Sequence, residues 1–194
     1  MEPLPMPLKE VDRVEVLTLM DNFVDVLLEN TAVVKRPPKA IGEEIPTDTL
    51  LAEHGLCLLV KVQQGAEKHT IMLDTGYNSM SVLHNMDILA VDPNELEAIV
   101  LSHAHMDHTG ALHAILGKIS KPIPLVVHPD AILYPRFLEE KDGSKKRFPR
   151  TLVRNDFDQR NVKIHESKAP TPILDGAILV TGEVERTTAV SYTH

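Results

Sequence analysis

Four side chains of types that bind metal ions occur within six residues of the segment "LSHAHMDHTGAL", which spans residues 101–112. They are His103, His105, Asp107 and His108. In an extended chain, residues two positions apart point to the same side, so His103 and His105 can present their ring nitrogens to one ion. Asp107 and His108 follow where the chain is expected to turn into a helix near Thr109. They can therefore serve a second ion or complete the first.

The donor types indicate the kind of metal site. Imidazole nitrogens and a carboxylate, without a thiolate, are typical of a catalytic rather than a structural zinc site, and they also suit iron or manganese. Ala104 and Gly110 are small and leave room beside the donors. The alternative, that these are surface histidines in a polar turn, accounts poorly for so many donors in one turn. We therefore predict a catalytic metal centre at this segment.

Strand and helix patterns alternate through the central part of the chain. Apolar runs predict strands over residues 14–20, 55–62, 70–74, 98–102, 123–128, 161–166 and 177–184. The polar "QQGAEKH" between the second and third of these runs indicates a β-hairpin. Helical spacing of apolar residues predicts a helix over residues 79–91, and a second helix is expected to follow the donor segment and end at Gly117. The donors then follow the carboxyl end of a strand, where ligands usually bind in α/β folds. The predicted fold class is α/β.

Composition restricts the function further. The length of 194 residues suits a single domain, and the net charge of −8 argues against general nucleic-acid binding. Cys57 is the one cysteine, which excludes an intrachain disulfide and a cysteine-rich metal site. The first ten residues, "MEPLPMPLKE", do not resemble a signal peptide, and no apolar run is long enough to span a membrane. We expect a cytoplasmic protein with no membrane partner.

The segment "HAHMDH" matches the His-x-His-x-Asp-His signature of the metallo-β-lactamase superfamily, and the upstream "IMLDTG" resembles that family's Asp-Thr-Gly. More narrowly, "LMDNFVD", "EHGLCLLV", "LDTG", "LSHAHMDHTGAL" and "TGEVER" resemble, in this order, the branch of dihydropterin ribofuranosyl-aminobenzene phosphate synthases of methanopterin biosynthesis. The resemblance extends from about residue 16 to residue 190. It implies an αββα sandwich, a mixed α/β (α+β) fold.

The resemblance also implies roles for the donors. His103 and His105 would hold a first metal, and Asp107 and His108 a second, with two zinc ions as the expected cofactor and iron or manganese as alternatives. A metal-bound hydroxide would then attack an ester, thioester, phosphoester or amide in a small-molecule substrate. Asp107 could also take the proton if one metal is bound. The alternative within enzymes is a synthase or transferase reaction on a phosphorylated substrate of the pterin pathway.

Two residues outside the donor segment are candidates for supporting roles. Asp74, in "LDTG", is interpreted as a carboxylate that orients a ligand histidine, or else as a residue that caps the turn. His128, at the end of "IPLVVH", could be a ligand, a substrate or outer-shell contact, or an ordinary strand-end histidine. The remaining histidines of the central chain are interpreted as surface or helix-face residues: His54, His69, His84, His113 and His165.

Residues 135–154 carry seven Lys or Arg against three Asp or Glu, a net charge of +4 in an acidic chain. This cationic segment could be a lid in which Arg147, with Lys146 or Arg150, contacts an anionic substrate such as a phosphate ester. The alternative is a solvated hairpin.

The family places further ligands later in the chain, in a Gly-Cys-Ser/Ala-His and a Gly-Gly-x-His type of segment, and neither occurs here. We therefore expect residues 1–194 to be the N-terminal portion of a single domain truncated at its C-terminus. A function of another class follows as an alternative, an inactive metal-binding or interaction fragment. Half a sandwich would also expose apolar surface, so a homodimer is expected.

Overall fold

The computed structural model describes residues 7–158 and 162–184. The strands are β1 (Arg13–Met20), β2 (Cys57–Gln64), β3 (Glu67–Leu73), β4 (Ala98–Val100), β5 (Pro124–Val127), β6 (Phe137–Glu139), β7 (Lys145–Arg147), β8 (Lys163–Glu166), β9 (Thr171–Ile173) and β10 (Ile178–Val180). The helices are α1 (Ser79–Ile88), α2 (Met106–Thr109), α3 (Leu112–Leu116) and α4 (Arg154–Asp158). Short 3₁₀ turns occupy Pro93–Glu95, Pro129–Ile132 and Leu174–Gly176.

A six-stranded sheet in the order β1-β2-β3-β4-β5-β8 forms the centre of the fold. The first three strands are antiparallel and the last four, from β3 onward, run parallel. The predicted β2–β3 hairpin is confirmed, with a shorter connection than expected that turns at Gly65 with φ of +57°. The continuous apolar runs of β4 and β5 suit parallel strands, which are covered on both faces.

The two faces of the sheet are covered differently. Helices α1 and α3 pack on one face through buried residues such as Val82 and Ile115, which join the main core. On the other face, β9 and β10 form an antiparallel pair whose Ile173 and Ile178 pack against a second cluster that includes Val100. The described residues thus form three layers, helices, a large sheet and a small sheet, and the predicted mixed α/β class is confirmed.

The helix after the donor segment differs from the prediction. It begins at Met106 rather than near Thr109, and it is divided into α2 and α3. Gly110 separates the two, because its N–H donates to Gly76 O (2.9 Å) and a side chain there would lie 1.8 Å from the carbonyl oxygen of Tyr77. The donors Asp107 and His108 therefore lie on the first helical turn and not in the loop before it.

The cationic segment contains the small hairpin β6–β7, in which every residue of both strands is exposed. Beyond β7 the chain returns to the main core at Leu152 and Phe157, both of which are buried. The segment is therefore anchored at its far end to the layer that carries the donors.

Three loops interlock beneath the donor segment. Thr75 N donates to His108 O (2.8 Å), Gly76 N donates to Leu56 O (2.8 Å), and Leu56 N donates to Asp107 O (3.3 Å). Gly55 fits between them with φ of +131°, because a side chain there would lie 2.2 Å from Asp107 O. Residues from before β2, after β3 and after β4 thus hold one another in place.

No helix of the described residues is both long enough and apolar enough to cross a membrane.

Replacing Gly55 with Ala should destabilise the protein more than the same change at Gly65. Both glycines have positive φ, but a side chain at Gly65 meets no atom within 4 Å. Gly65→Ala should therefore lower the free energy of unfolding by about 1 kcal/mol, which is the cost of a left-handed backbone for a residue with a side chain. Gly55→Ala should cost about 2 kcal/mol more, because the loop must also move away from Asp107. Urea denaturation measures both free energies of unfolding, and equal losses would contradict the described interlock.

Candidate metal centre

Asp74 connects the end of β3 to the donor segment. Its backbone has φ of +58° and its side chain is fully buried. The carboxylate accepts hydrogen bonds from Ser102 N (2.7 Å) and Ser102 Oγ (2.6 Å), and its Oδ2 lies 2.7 Å from His108 Nδ1. This hydrogen bond to Asp74 is the main cause that raises the pKa of His108 above its ordinary value. The His108 ring is therefore held with Nδ1 donating to Asp74 and Nε2 directed away from it.

The structure brings the four predicted donors together. The ring centroid of His103 lies 4.6 Å from that of His105 and 4.1 Å from that of His108. Asp107 Oδ2 lies 3.3 Å from His108 Nε2. His103 is thus close to both other histidines. The expected division into one pair of donors for each metal stays a prediction.

The electrostatics of His103 favour a neutral ring. Burial lowers its pKa to about 4, with further lowering by the neighbouring His108 and His105. Ser102 Oγ lies 3.0 Å from His103 Nδ1. A neutral imidazole keeps a nitrogen lone pair, which is the form that binds a metal.

The donor set fits a divalent metal in its chemistry. Nitrogen lone pairs and one carboxylate are gathered in a half-buried cluster, and a buried carboxylate orients His108 as expected for a metal-binding histidine. Within residues 7–158 and 162–184, however, no three His, Cys, Asp or Glu side chains already form a group that could hold an ion.

Sequence reasoning missed two contacts made by the chain that follows β7. The ring of Phe148 stacks on that of His105, with centroids 6.0 Å apart and planes at 19°. Thr151 Oγ1 lies 2.7 Å from Thr109 Oγ1, and Thr151 O accepts from His113 Nε2 at 3.1 Å. No local sequence pattern could indicate these contacts, because the partners are far apart in the chain; Thr109 and Thr151, for example, are separated by 42 positions.

His54 was interpreted as a surface histidine, and this interpretation is incomplete. Its side chain is 74% exposed, yet its Nε2 lies 3.3 Å from Asp107 Oδ2. The "EHG" in which it occurs precedes β2 and forms part of the interlocked loops. His113 is likewise more than a helix-face residue, because its ring stacks on buried Phe157 with centroids 5.4 Å apart.

The other candidates lie near the donor layer without a described contact to the four donors. His128 follows β5, accepts from Asp130 N through Nδ1 (3.1 Å), and places Nε2 3.4 Å from Glu183 Oε2. Arg147 lies in β7 and is exposed. The ligand or substrate roles of both residues stay predictions. Cys57 is buried as expected, and burial raises the pKa of its thiol well above the ordinary value.

Comparison with known proteins gives one relative with a described activity. It is the 7,8-dihydropterin-6-methyl-4-(beta-D-ribofuranosyl)-aminobenzene-5'-phosphate synthase of Methanocaldococcus jannaschii, 31% identical over 134 residues. The match covers 69% of this chain and 45% of the relative, so the chain spans less than half of that protein's length.

Solved structures with a similar backbone include the metallo-β-lactamase MIM-1 from Novosphingobium pentaromativorans, with 20% identity and a TM-score of 0.38 over 61% of this chain and 41% of that one. A quorum-quenching N-acyl homoserine lactone lactonase has 18% identity and a TM-score of 0.39 over 61% of this chain and 46% of that one.

The family model of the metallo-β-lactamase superfamily matches residues 51–188. This match covers more than two thirds of the 194 residues and includes the interlocked loops and all four donors. The chain therefore belongs to the metallo-β-lactamase superfamily, as the "HAHMDH" segment predicts.

Proposed function

We propose that the protein is a metal-dependent hydrolase that cleaves an ester, thioester, phosphoester or amide. The observation that carries this proposal is the hydrogen bond of 2.7 Å between His108 Nδ1 and the buried Asp74 carboxylate. A histidine that binds a metal almost always donates its other ring N–H to a carboxylate, a carbonyl or water, which fixes the orientation of the ring. Asp74 provides that orientation for His108.

The proposed ligands are the four donors, His103, His105, Asp107 and His108. Two zinc ions are the proposed complement, and iron or manganese would accept the same donor types. A divalent metal bound here would lower the pKa of a coordinated water to about 7 and polarise the bond under attack.

Asp107 is the proposed proton acceptor if one metal is bound. Its side chain is 17% exposed, so water can reach the carboxylate. Its Oδ2 lies within 3.3 Å of both His54 Nε2 and His108 Nε2, at the open side of the cluster. A positioned carboxylate that accepts a proton in the transition state contributes a factor of about 10² to 10⁴.

A second candidate function is a synthase or transferase reaction on a phosphorylated substrate of the pterin pathway. It is supported by the 31% identity with a relative that is named as a phosphate synthase. A third candidate is an inactive metal-binding or interaction fragment; among the described residues no three donors already form a group that could hold an ion.

The cationic segment supports a small anionic substrate. Within the described part of the chain, Lys146, Arg147 and Arg150 form no ion pair, although Arg150 lies over the Tyr134 ring at 5.2 Å. Phe148, between these residues in sequence, stacks on His105, so the cationic segment contacts the donor cluster through this ring. A phosphate ester is the substrate class that this charge favours.

Two further properties belong to the proposal. Val14 and Val16 of the edge strand β1 are 54% and 58% exposed, and such apolar side chains support a homodimer. The single, buried Cys57 supports a cytoplasmic location, where thiols stay reduced.

Metal content and a substrate panel distinguish the three candidates. About two zinc ions per chain with chelator-sensitive hydrolysis of p-nitrophenyl acetate or bis(p-nitrophenyl) phosphate would support the hydrolase. Bound metal without hydrolysis of any member would favour the synthase. Absence of bound metal would refute the metal centre and leave the interaction fragment.

Asp107→Asn should lower kcat for the hydrolysed member of this panel by about 100-fold or more, because the amide cannot accept the proton. Asp87→Asn, an exposed change on α1, is the matched control and should leave kcat unchanged. Wild-type kcat in Asp107→Asn would contradict the role of Asp107.

Asp74→Asn should weaken zinc affinity by about 10- to 100-fold, because the neutral amide no longer polarises and orients His108 as the carboxylate does. Competition with a fluorescent zinc chelator measures the Kd, again with Asp87→Asn as control. An unchanged Kd, in a variant whose Tm without metal matches the wild type, would show that Asp74 only shapes its turn.

The double change Arg147→Ala and Arg150→Ala should raise KM about tenfold for a phosphodiester, since two charged contacts of about 0.7 kcal/mol each would be lost. KM for a neutral ester should stay unchanged. Lys118→Ala with Lys121→Ala removes the same charge from exposed positions elsewhere. Equal effects of the hairpin changes on both substrates would argue for a solvated hairpin.

A further inference from the structure

A fifth donor lies at the cluster and comes from a separate part of the chain. His54 precedes β2, and its Nε2 lies 3.3 Å from Asp107 Oδ2. The same oxygen lies 3.3 Å from Nε2 of His108. Two imidazole nitrogens from different loops thus approach one carboxylate oxygen, in a cluster whose other members are metal-type donors.

Hydrogen bonding does not account well for this arrangement. Because His108 Nδ1 is taken up by Asp74, Nε2 is the ring nitrogen of His108 left for a metal ion, and it faces the Asp107 oxygen. Both N···O distances of 3.3 Å also exceed the roughly 2.7–2.9 Å of a charge-assisted hydrogen bond. Two imidazole nitrogens that converge on one carboxylate oxygen without forming short hydrogen bonds are donor types that a divalent cation binds.

The backbone holds His54 at this place. Gly55 N donates to Asn22 Oδ1 (2.9 Å), and Leu56 N donates to Asp107 O (3.3 Å). Gly55 also approaches Asp107 O so closely that only a glycine fits. The residue before Gly55 is therefore fixed beside Asp107 by the fold, whereas its ring, 74% exposed, has room to rotate.

We propose that His54 is a further ligand of the metal centre and binds the ion held by Asp107 and His108. This inference rests on the metal centre of the proposed function. Two histidines and one carboxylate, with a position left open, form a donor set that catalytic zinc sites use. Rotation of the exposed His54 ring would bring the third donor to the ion while the backbone stays in place.

His54→Gln should weaken the affinity for Co²⁺ or Zn²⁺ at least tenfold, since loss of even an outer-shell partner costs about 10- to 100-fold. His84→Gln is the matched control, because the His84 ring also faces a carboxylate, with Nε2 3.4 Å from Asp48 Oδ1, and lies outside the cluster. Titration of the full chain with Co²⁺, followed by its visible absorption, gives both the Kd and the coordination. The Tm measured without metal checks that each variant folds.

The variant His54→Cys tests whether the side chain at position 54 binds the metal directly or affects the site only through packing. A thiolate that binds Co²⁺ directly produces a charge-transfer absorption in the near ultraviolet, which no change of packing imitates. We expect this band in His54→Cys and not in His84→Cys. The wild type gives the baseline, since its one thiol, Cys57, is buried in the core.

The outcomes separate the two proposals. If the wild type binds Co²⁺ and His54→Cys gives the band, His54 is a ligand. If the wild type binds Co²⁺ but His54→Gln keeps the wild-type Kd and His54→Cys gives no band, only the role of His54 is refuted. If the wild type binds no Co²⁺ or Zn²⁺, the metal centre of the proposed function and the ligand role of His54 fail together.

Discussion

The buried carboxylate of Asp74 is the interaction on which the donor cluster depends. A buried charge is tolerated only when hydrogen bonds compensate for the loss of water, and here Ser102 and His108 supply them. These hydrogen bonds join the end of β3 to the chain that leaves β4. The position of His108, and with it the first turn of α2, is thus tied to the centre of the sheet. The remaining donors are arranged around this fixed point.

The sequence predicted the features that depend on neighbouring residues. The alternation and apolar runs of the strands, the β2–β3 hairpin and helix α1 all have local patterns, and the structure has them. Asp74 in "LDTG" was also interpreted as a carboxylate that orients a ligand histidine, and in the structure it lies beside His108. The division of the helix at Gly110 was not predicted, since it depends on the approach of Gly110 to Tyr77, a contact between distant segments.

The contacts that sequence reasoning missed share one physical origin. His54 and Phe148 contact donors from distant loops, Thr151 contacts the helix residues beside the donors, and no periodicity in the chain indicates such contacts. A histidine next to a glycine is common in loops, and only the structure shows that Gly55 lies against the backbone of Asp107. The sequence feature that could have indicated His54 is the "EHGLCLLV" segment, because its histidine is of the same donor type as three members of the cluster.

The interlocked loops have a consequence for how the donor segment moves. The carbonyl groups of Asp107 and His108 accept from Leu56 and Thr75, while Gly110 donates to Gly76. The donor turn therefore cannot fray by itself, because its opening requires the loops before β2 and after β3 to release it at the same time. Local unfolding of this region is thus a concerted event of three distant segments, with the cooperativity of a small folding unit. Backbone disorder in the donor turn is suppressed before any ligand arrives, and binding requires only that side chains be ordered.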